Sequence, residues 1–383
     1  MHLSESLPLS AAVEFSGGGM LEFALHGQWL AVISAPLVAA GLTRALMVFA
    51  SRWGLIDHPG HRKVHDHPTP LVGGLAMLFT LLALQVVVGH VPFESWTLLF
   101  ALMLVTGIGV ADDAHELSHR AKFVAQALGA AVIVSGTAVW VTHLGDLFGL
   151  GTIELGKWSL IVTVISIVGV MNAINMIDGL DGLSGSVSLV SVMLLANLAI
   201  AANAQALVFE LLLFAGAILG FLSLNLRLPG RSKARVFMGD TGGMVIGMLL
   251  AWYAIKFAGA SSSVIHPITA VWILAVPLLD MGGVMLLRLQ QRKSPFHADQ
   301  QHMHHVLLKA GYSVNQVVAI MAGFSFLYGV IGIAAERNGV PEVAMFVVFL
   351  GLWSLYVFGL KHPARLQAIA KRLITPLSPR SGS

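Results

Sequence analysis

Long apolar runs separated by short polar connections dominate the chain. Eleven runs stand out, at 26–49, 71–90, 96–111, 123–143, 158–174, 183–202, 206–225, 241–258, 266–287, 314–335 and 342–360. Each is about 16 to 24 residues, the range for a helix crossing a hydrocarbon core, with the third and fifth short. The pattern predicts an all-α, polytopic membrane protein with about eleven transmembrane helices, and an odd count puts the two termini on opposite faces. Residues 1–360 are expected to form a single integral membrane domain, followed by a basic tail over 361–383 that either lies against anionic lipid or is disordered. The largest polar connection is 288–313, and there is no strong internal repeat.

Composition agrees. Hydrophobic residues make up 56% of the 383 and charged residues only 11%, against about a quarter charged in a soluble domain. Cysteine is absent, which excludes a disulfide framework and thiolate chemistry. The first 25 residues carry Glu5, Glu14 and Glu22 but no Lys or Arg, unlike a secretory signal peptide. Charge placement sets the orientation. Nineteen of the 22 Lys and Arg fall in alternate connections, leaving Lys157, Lys256 and Arg337 for the other face. The positive-inside rule makes the first set cytoplasmic, with the N-terminus outside and the C-terminus inside.

Five polar clusters interrupt this scheme, all on the cytoplasmic side. The first, at 57–74, holds Arg62, Lys63 and His65 among three prolines; it suits an anionic ligand or serves as a positive-inside anchor. The second pairs Asp112 with Asp113 at the end of an apolar run, followed by Lys122. Adjacent carboxylates need a cation, a shared proton or solvent, and negative charge is misplaced at a helix C-terminus. A solvated acidic turn is the alternative. The third, at 171–183, sets Asn172, Asn175, Asp178 and Asp181 at three-residue intervals, which is one face of a helix. That set suits a hard cation or a phosphate, or else a polar turn with a cap.

The fourth, at 235–243, puts Asp240 and Thr241 where a helix cap belongs. Capping alone explains either, while the free N–H groups also suit phosphate. Phe237, three residues earlier, is placed to stack on a base. The fifth gathers His302, His304 and His305 after Asp299. No familiar zinc spacing is completed, so phosphate or ribose oxygens, or a plain surface role, remain. Asp280, after Pro277 in the ninth run, is a functional candidate without a visible partner.

Together these residues resemble the polyprenyl-phosphate N-acetylhexosamine-1-phosphate transferases. The stretch 172–183 is similar to that family's N-x-x-N-x-x-D-G-x-D-G-L. The Asp112–Asp113 pair with Lys122 and Gln126, the F-M-G-D-T-G segment, the H-x-H-H loop and the early R-K-x-H…P-x-P…G-G loop follow in the family's order. The loop at 294–305 resembles the branch that moves N-acetylglucosamine 1-phosphate onto undecaprenyl phosphate. Two positions depart. Gln300 stands where that branch usually has Arg, which removes a cation near the expected sugar nucleotide, and Gly243 stands where Ser is common.

The resemblance implies transfer of a sugar 1-phosphate from a UDP-sugar to undecaprenyl phosphate, giving the diphospho-sugar lipid and UMP. This is the first membrane step of a cell-surface polysaccharide pathway, at a cytoplasmic site in a bacterial inner membrane. Another UDP-N-acetyl amino sugar is the alternative donor. It also implies Mg2+, with Mn2+ as the substitute, held by Asp240 and Asn175. Asp112, Asp113 and Lys122 are then catalytic. Lys63, His65, Asn172, Asp178, Asp181, Phe237, His302, His304 and His305 bind substrate. The bilayer and the two substrates are the expected partners, with a homodimer left open and no role for nucleic acid. A transporter would instead line its midplane with polar groups, and a structural scaffold leaves the five clusters unexplained.

Overall fold

The computed structural model describes residues 17–59, 67–89, 96–137, 139–259, 264–295 and 300–374. Lys63, His65 and Asp299 lie outside the described residues. Helices dominate: α1 Gly17–Phe49, α2 Gly73–Val87, α3 Trp96–His115, α4 His119–Gly136, α5 Ser159–Ile177, α6 Leu183–Ala201 and α7 Gln205–Asn225. They continue with α8 Gly239–Ala258, α9 Pro267–Ile273, α10 Ala275–Gln290, α11 Met303–Lys309, α12 Val314–Arg337, α13 Glu342–Lys361 and α14 Pro363–Ile374. The described strands are two short pieces, β1 Ile56–Asp57 and β2 Thr69–Pro70, paired antiparallel.

Each of the eleven apolar runs overlaps a helix, and the ninth overlaps two. Among the described residues, eight helices are long and apolar enough to cross a membrane. The differences have local causes. α2 is apolar but has only 15 residues. The fourth run starts its helix earlier than expected, where the Ser118 hydroxyl caps α4 by accepting from the Ala121 N–H. The ninth run breaks into α9 and α10, bent by 85°. Pro277 has no N–H and its ring excludes the carbonyl four residues back, and α9 ends at that residue, Ile273. The Ser191 hydroxyl of α6 donates to the freed Ile273 carbonyl at 3.1 Å.

α8 is the central post, buried from Thr241 almost to its end and packed against α2, α3 and α5. α1 lies against α7 on one side, and α12 against α6 and α9 on the other. Within lipid, close backbone approach replaces the hydrophobic drive between helices. At the α5–α8 crossing, a Cβ on Gly247 would stand 2.5 Å from the Met171 Cα. The outer face carries large apolar side chains such as Leu30, Ile33, Leu37, Phe100, Ile165 and Leu355, all exposed. That face suits acyl chains and would be an aggregation liability in water. The chain is thus a multi-pass membrane protein.

Part of the basic tail is ordered. In α14, Leu366, Ile369, Ala370 and Leu373 recur at helical spacing while Arg365, Lys371 and Arg372 take other positions. The Tyr312 hydroxyl donates to the Ala370 carbonyl at 3.0 Å, fixing α14 beside α11.

The glycine contacts generate a paired prediction. Gly247→Ala meets backbone that cannot yield and is expected to cost about 1–3 kcal/mol. Gly169→Ala, with nothing within 4 Å of the new Cβ, should unfold at the wild-type temperature or above it. Thermal unfolding in detergent compares the two.

Candidate active site

The site is built where α8 begins. The Phe237 N–H donates to the Pro70 carbonyl at 2.8 Å, and the Gly73 and Gly74 N–H groups donate to the Phe237 and Met238 carbonyls at 3.0 Å each. The start of α2 and the segment before α8 are thereby zipped together. Gly74 is required there, because a Cβ would meet the Gly242 backbone. Gly239 then turns the chain into α8 with φ +70°, a left-handed value that favours glycine.

A helix start leaves orphan N–H groups. The residue ahead of α8, Met238, has no side chain to cap them. Asp113 does it from across the site. Its Oδ1 accepts from the Asp240 N–H at 2.7 Å, and its Oδ2 accepts from the Thr241 N–H at 3.2 Å and hydroxyl at 2.6 Å. The acid that looked misplaced at the end of α3 is therefore spent on the positive end of α8. Asp240 is not its own cap; its side chain is free to turn inward.

There it meets Lys122. The ammonium sits 2.6 Å from Asp240 Oδ2 and 2.5 Å from Asp112 Oδ2, bridging α4, α8 and α3. Asp112 is buried, and its Oδ1 accepts from the Leu117 N–H at 2.7 Å. Asn175, at the end of α5, lies within hydrogen-bonding reach of Asp240. Gly243 makes room for it, since a Cβ there would stand 2.5 Å from the Asn175 Oδ1.

These groups face a pocket of about 1460 Å³ that Phe237, Asp178, Asp181 and His305 also line. Asp181 is paired with Arg227 at 2.7 Å. Asp178 has no such partner among the described residues. Burial, then the charges of Asp240, Asp181 and Asp113, push its carboxyl up to about 7. The pocket therefore has more negative charge than its cations neutralise. Asn172 is elsewhere: its amide is committed to Gln126 Oε1 at 2.7 Å and the Val168 carbonyl at 2.8 Å, tying α5 to α4.

The three histidines divide. His305 lines the pocket. His304 is buried behind it, against Gly179, where a Cβ would strike the ring. Burial and then His305 push its imidazole down to about 3, so it is neutral at pH 7. His302 is buried further back, with Nδ1 2.6 Å from Asp280 Oδ2.

Sequence reading did not find Asn225, Arg227 or His67, all on the pocket wall. Asn225 accepts from the Gly182 N–H at 2.7 Å and donates to the Val236 carbonyl at 2.8 Å, joining the turn before α6 to the segment before α8. An amide closing an apolar run on the motif-bearing face was the available signal.

The raised Asp178 carboxyl sets a pH dependence. Its folded-state value lies above the ordinary one, so its contribution to stability is full in acid and is lost as pH rises through about 7. In EDTA-containing detergent solution the unfolding temperature should fall between about pH 5 and 8. Asp178→Asn should flatten that fall and unfold at a higher temperature than wild type at the alkaline end.

Comparison with known proteins identifies relatives along most of the chain. A model of glycosyl transferase family 4 matches residues 95–258. The chain is 33% identical over 342 residues to an undecaprenyl-phosphate alpha-N-acetylglucosaminyl 1-phosphate transferase of Haemophilus influenzae, covering 89% of this chain and 96% of that protein. The Escherichia coli K12 protein of the same name is 32% identical, covering 90% of this chain and 95% of its own length. That of Pasteurella multocida is 34% identical, covering 85% and 91%. With such identity over nearly full length, the chain belongs to the polyprenyl-phosphate N-acetylhexosamine-1-phosphate transferase family.

Proposed function

We propose that the chain transfers N-acetylglucosamine 1-phosphate from UDP-N-acetylglucosamine to undecaprenyl phosphate, releasing UMP. The observation that carries the reading is Lys122 held between Asp112 and Asp240 in an acidic pocket, in a chain similar to enzymes named for that reaction. The chemical problem is electrostatic. Two unit charges ~4 Å apart repel by about 4 kcal/mol at an effective dielectric near 20. A lipid phosphate must nevertheless approach a diphosphate.

Mg2+ suits the donor set. It takes oxygen ligands, often one or two carboxylates, and completes its shell with water and substrate phosphates. Asp240 and Asn175 offer one anionic and one neutral oxygen, and Gly243 leaves Asn175 its space. Among the described residues no three His, Asp or Glu side chains form a group that could hold a metal ion, so water and substrate oxygens would have to complete the shell. The unneutralised charge around Asp178 also favours a divalent cation. When bound, the ion supplies positive charge that offsets the phosphates and polarises the scissile bond.

The chain's own groups do the rest. Asp112 orients the lipid phosphate and takes its proton. An oxygen of that phosphate forms the new bond to the sugar-bearing phosphorus, and UMP leaves with the electrons of the broken P–O bond. Lys122 neutralises charge on a phosphate oxygen. Asp113 holds the α8 start, and so Asp240, in register. Phe237 stacks on uracil, and His305 donates to the diphosphate or sugar. In this reading the pocket faces the cytoplasm from a bacterial inner membrane with about eleven crossings, where a soluble UDP-sugar meets a lipid headgroup; the one-sided distribution of Lys and Arg supports the orientation.

UMP release from UDP-N-acetylglucosamine with added undecaprenyl phosphate, titrated with Mg2+, tests the reaction. Asp240→Asn should fold as wild type but turn over at least about 100-fold more slowly and demand more Mg2+. Wild-type turnover in that variant removes Asp240 from the metal site. Orientation is read separately. In this cysteine-free chain, Leu150→Cys, at a position 91% exposed, should react with a membrane-impermeant thiol reagent in intact cells. Ser294→Cys should not, and reversed labelling overturns the cytoplasmic site.

A further inference from the structure

The buried network behind the histidines has no part in the chemistry described so far. Asp280, on α10, is 1% exposed and has three partners on two other elements. Its Oδ2 accepts from His302 Nδ1 at 2.6 Å, and its Oδ1 accepts from the Met303 N–H at 3.1 Å and from the Tyr356 hydroxyl of α13. Eight residues along α10, Arg288 Nη1 donates to the Pro295 carbonyl at 2.6 Å, and its Nη2 stands 3.5 Å from His302 Nε2. α10 thus grips Pro295 and His302, the two shoulders of the histidine segment.

The donors assign the ring. A carboxylate only accepts, so His302 Nδ1 carries the proton. Nε2 is then the lone-pair nitrogen, and it faces an Arg288 N–H. Both nitrogens are engaged, which leaves His302 nothing for a substrate. Its ring instead stacks on His304, with centroids 5.4 Å apart and planes at 16°. His304 packs on His305 at 4.2 Å, and His305 lines the pocket. The Met303 N–H bond supplies a cap for α11, whose own first residue gives no side-chain cap.

The geometry points to Asp280 as a positioning residue: with Tyr356 it locks His302 in one tautomer, and through His302 and the His304 ring packed between them it aims His305 at the UDP-sugar. The span bent at Pro277 is what brings this carboxylate to the segment. The inference rests on the donor reading above. It concerns the donor and not the lipid acceptor, because the described residues that reach the pocket through this network are histidines beside the Gly179 turn.

Asp280→Asn is the discriminating variant. It keeps the shape and can still accept from Met303, but it turns an amide N–H toward the His302 Nδ1–H. The ring must switch tautomer, and its Nε2–H then meets the Arg288 donor. The expected loss is about 10- to 100-fold in kcat/KM for UDP-N-acetylglucosamine. The KM for undecaprenyl phosphate should stay within about two-fold of wild type. Tyr356→Phe, which deletes one hydroxyl, should give a loss in the same direction of about 10-fold, and it decides the matter if Asp280→Asn does not fold. Asp280→Asn combined with His302→Gln should be no worse than His302→Gln alone. Wild-type donor kinetics in both Asp280→Asn and Tyr356→Phe, equal damage to donor and acceptor KM, or fully additive losses in the cycle would overturn the positioning role. Absence of UMP release by the wild-type protein would instead overturn the proposed reaction, a result visible before any variant is made.

Discussion

Everything in the site depends on how the first turn of α8 is satisfied. Its N–H groups lie inside the protein, where an unmet donor is costly, and no residue just ahead of it caps them. Asp113 meets that need from α3 with three hydrogen bonds. A charged acceptor on a helix N-terminus gains from both the hydrogen bonds and the dipole. Because the cap comes from a neighbour, Asp240 is released to face Lys122, and Asp112 beside it is drawn into the same ion bridge. One tertiary contact therefore sets the positions of three acids and an amine.

That arrangement is bought with electrostatic tension. Besides Asp181, which Arg227 neutralises, Asp112, Asp113, Asp178 and Asp240 share one pocket, with Lys122 between Asp112 and Asp240. The Asp178 carboxyl registers the imbalance by moving up to about 7. A site that only had to be stable would pair or discard such a group. The proposed cation and phosphate esters would meet acidic oxygens that are short of positive charge.

The scaffold resists this tension by close packing in the bilayer. Glycines bring α5 and α8 into backbone contact at Gly247 and Met171, so the ends of these helices cannot drift apart as the acids repel. The other wall is built differently. There the bend at Pro277 swings α10 under the histidine segment, and a buried carboxylate with hydroxyl and imidazole partners takes the place of packing. Rigid backbone contact holds the carboxylate side, and a polar network holds the histidine side.

Much of this was legible from the chain alone. Apolar runs of membrane-spanning length and a one-sided distribution of Lys and Arg are local or additive properties, so helical class and the clustering of motifs on one face follow without a fold. Asp112, Asn175, Asp178, Phe237 and Asp240 stood out by their chemistry in the sequence, and the fold brings them to one pocket. What the tertiary structure decided was which acid caps α8. An Asp at the start of a helix reads as its cap, and only the approach of Asp113 from α3 shows that Asp240 is left free of that task. The same holds for the histidines, one at the pocket and two behind it, and for Asp280, whose partners lie 22 and 76 residues away. Asn172 fits the three-residue spacing of its motif but points to Gln126, since the helix turns by about 100° per residue and the bundle takes up the face it presents. Local pattern determines what an element is; the direction in which its polar groups spend their hydrogen bonds is settled only by the neighbours they meet.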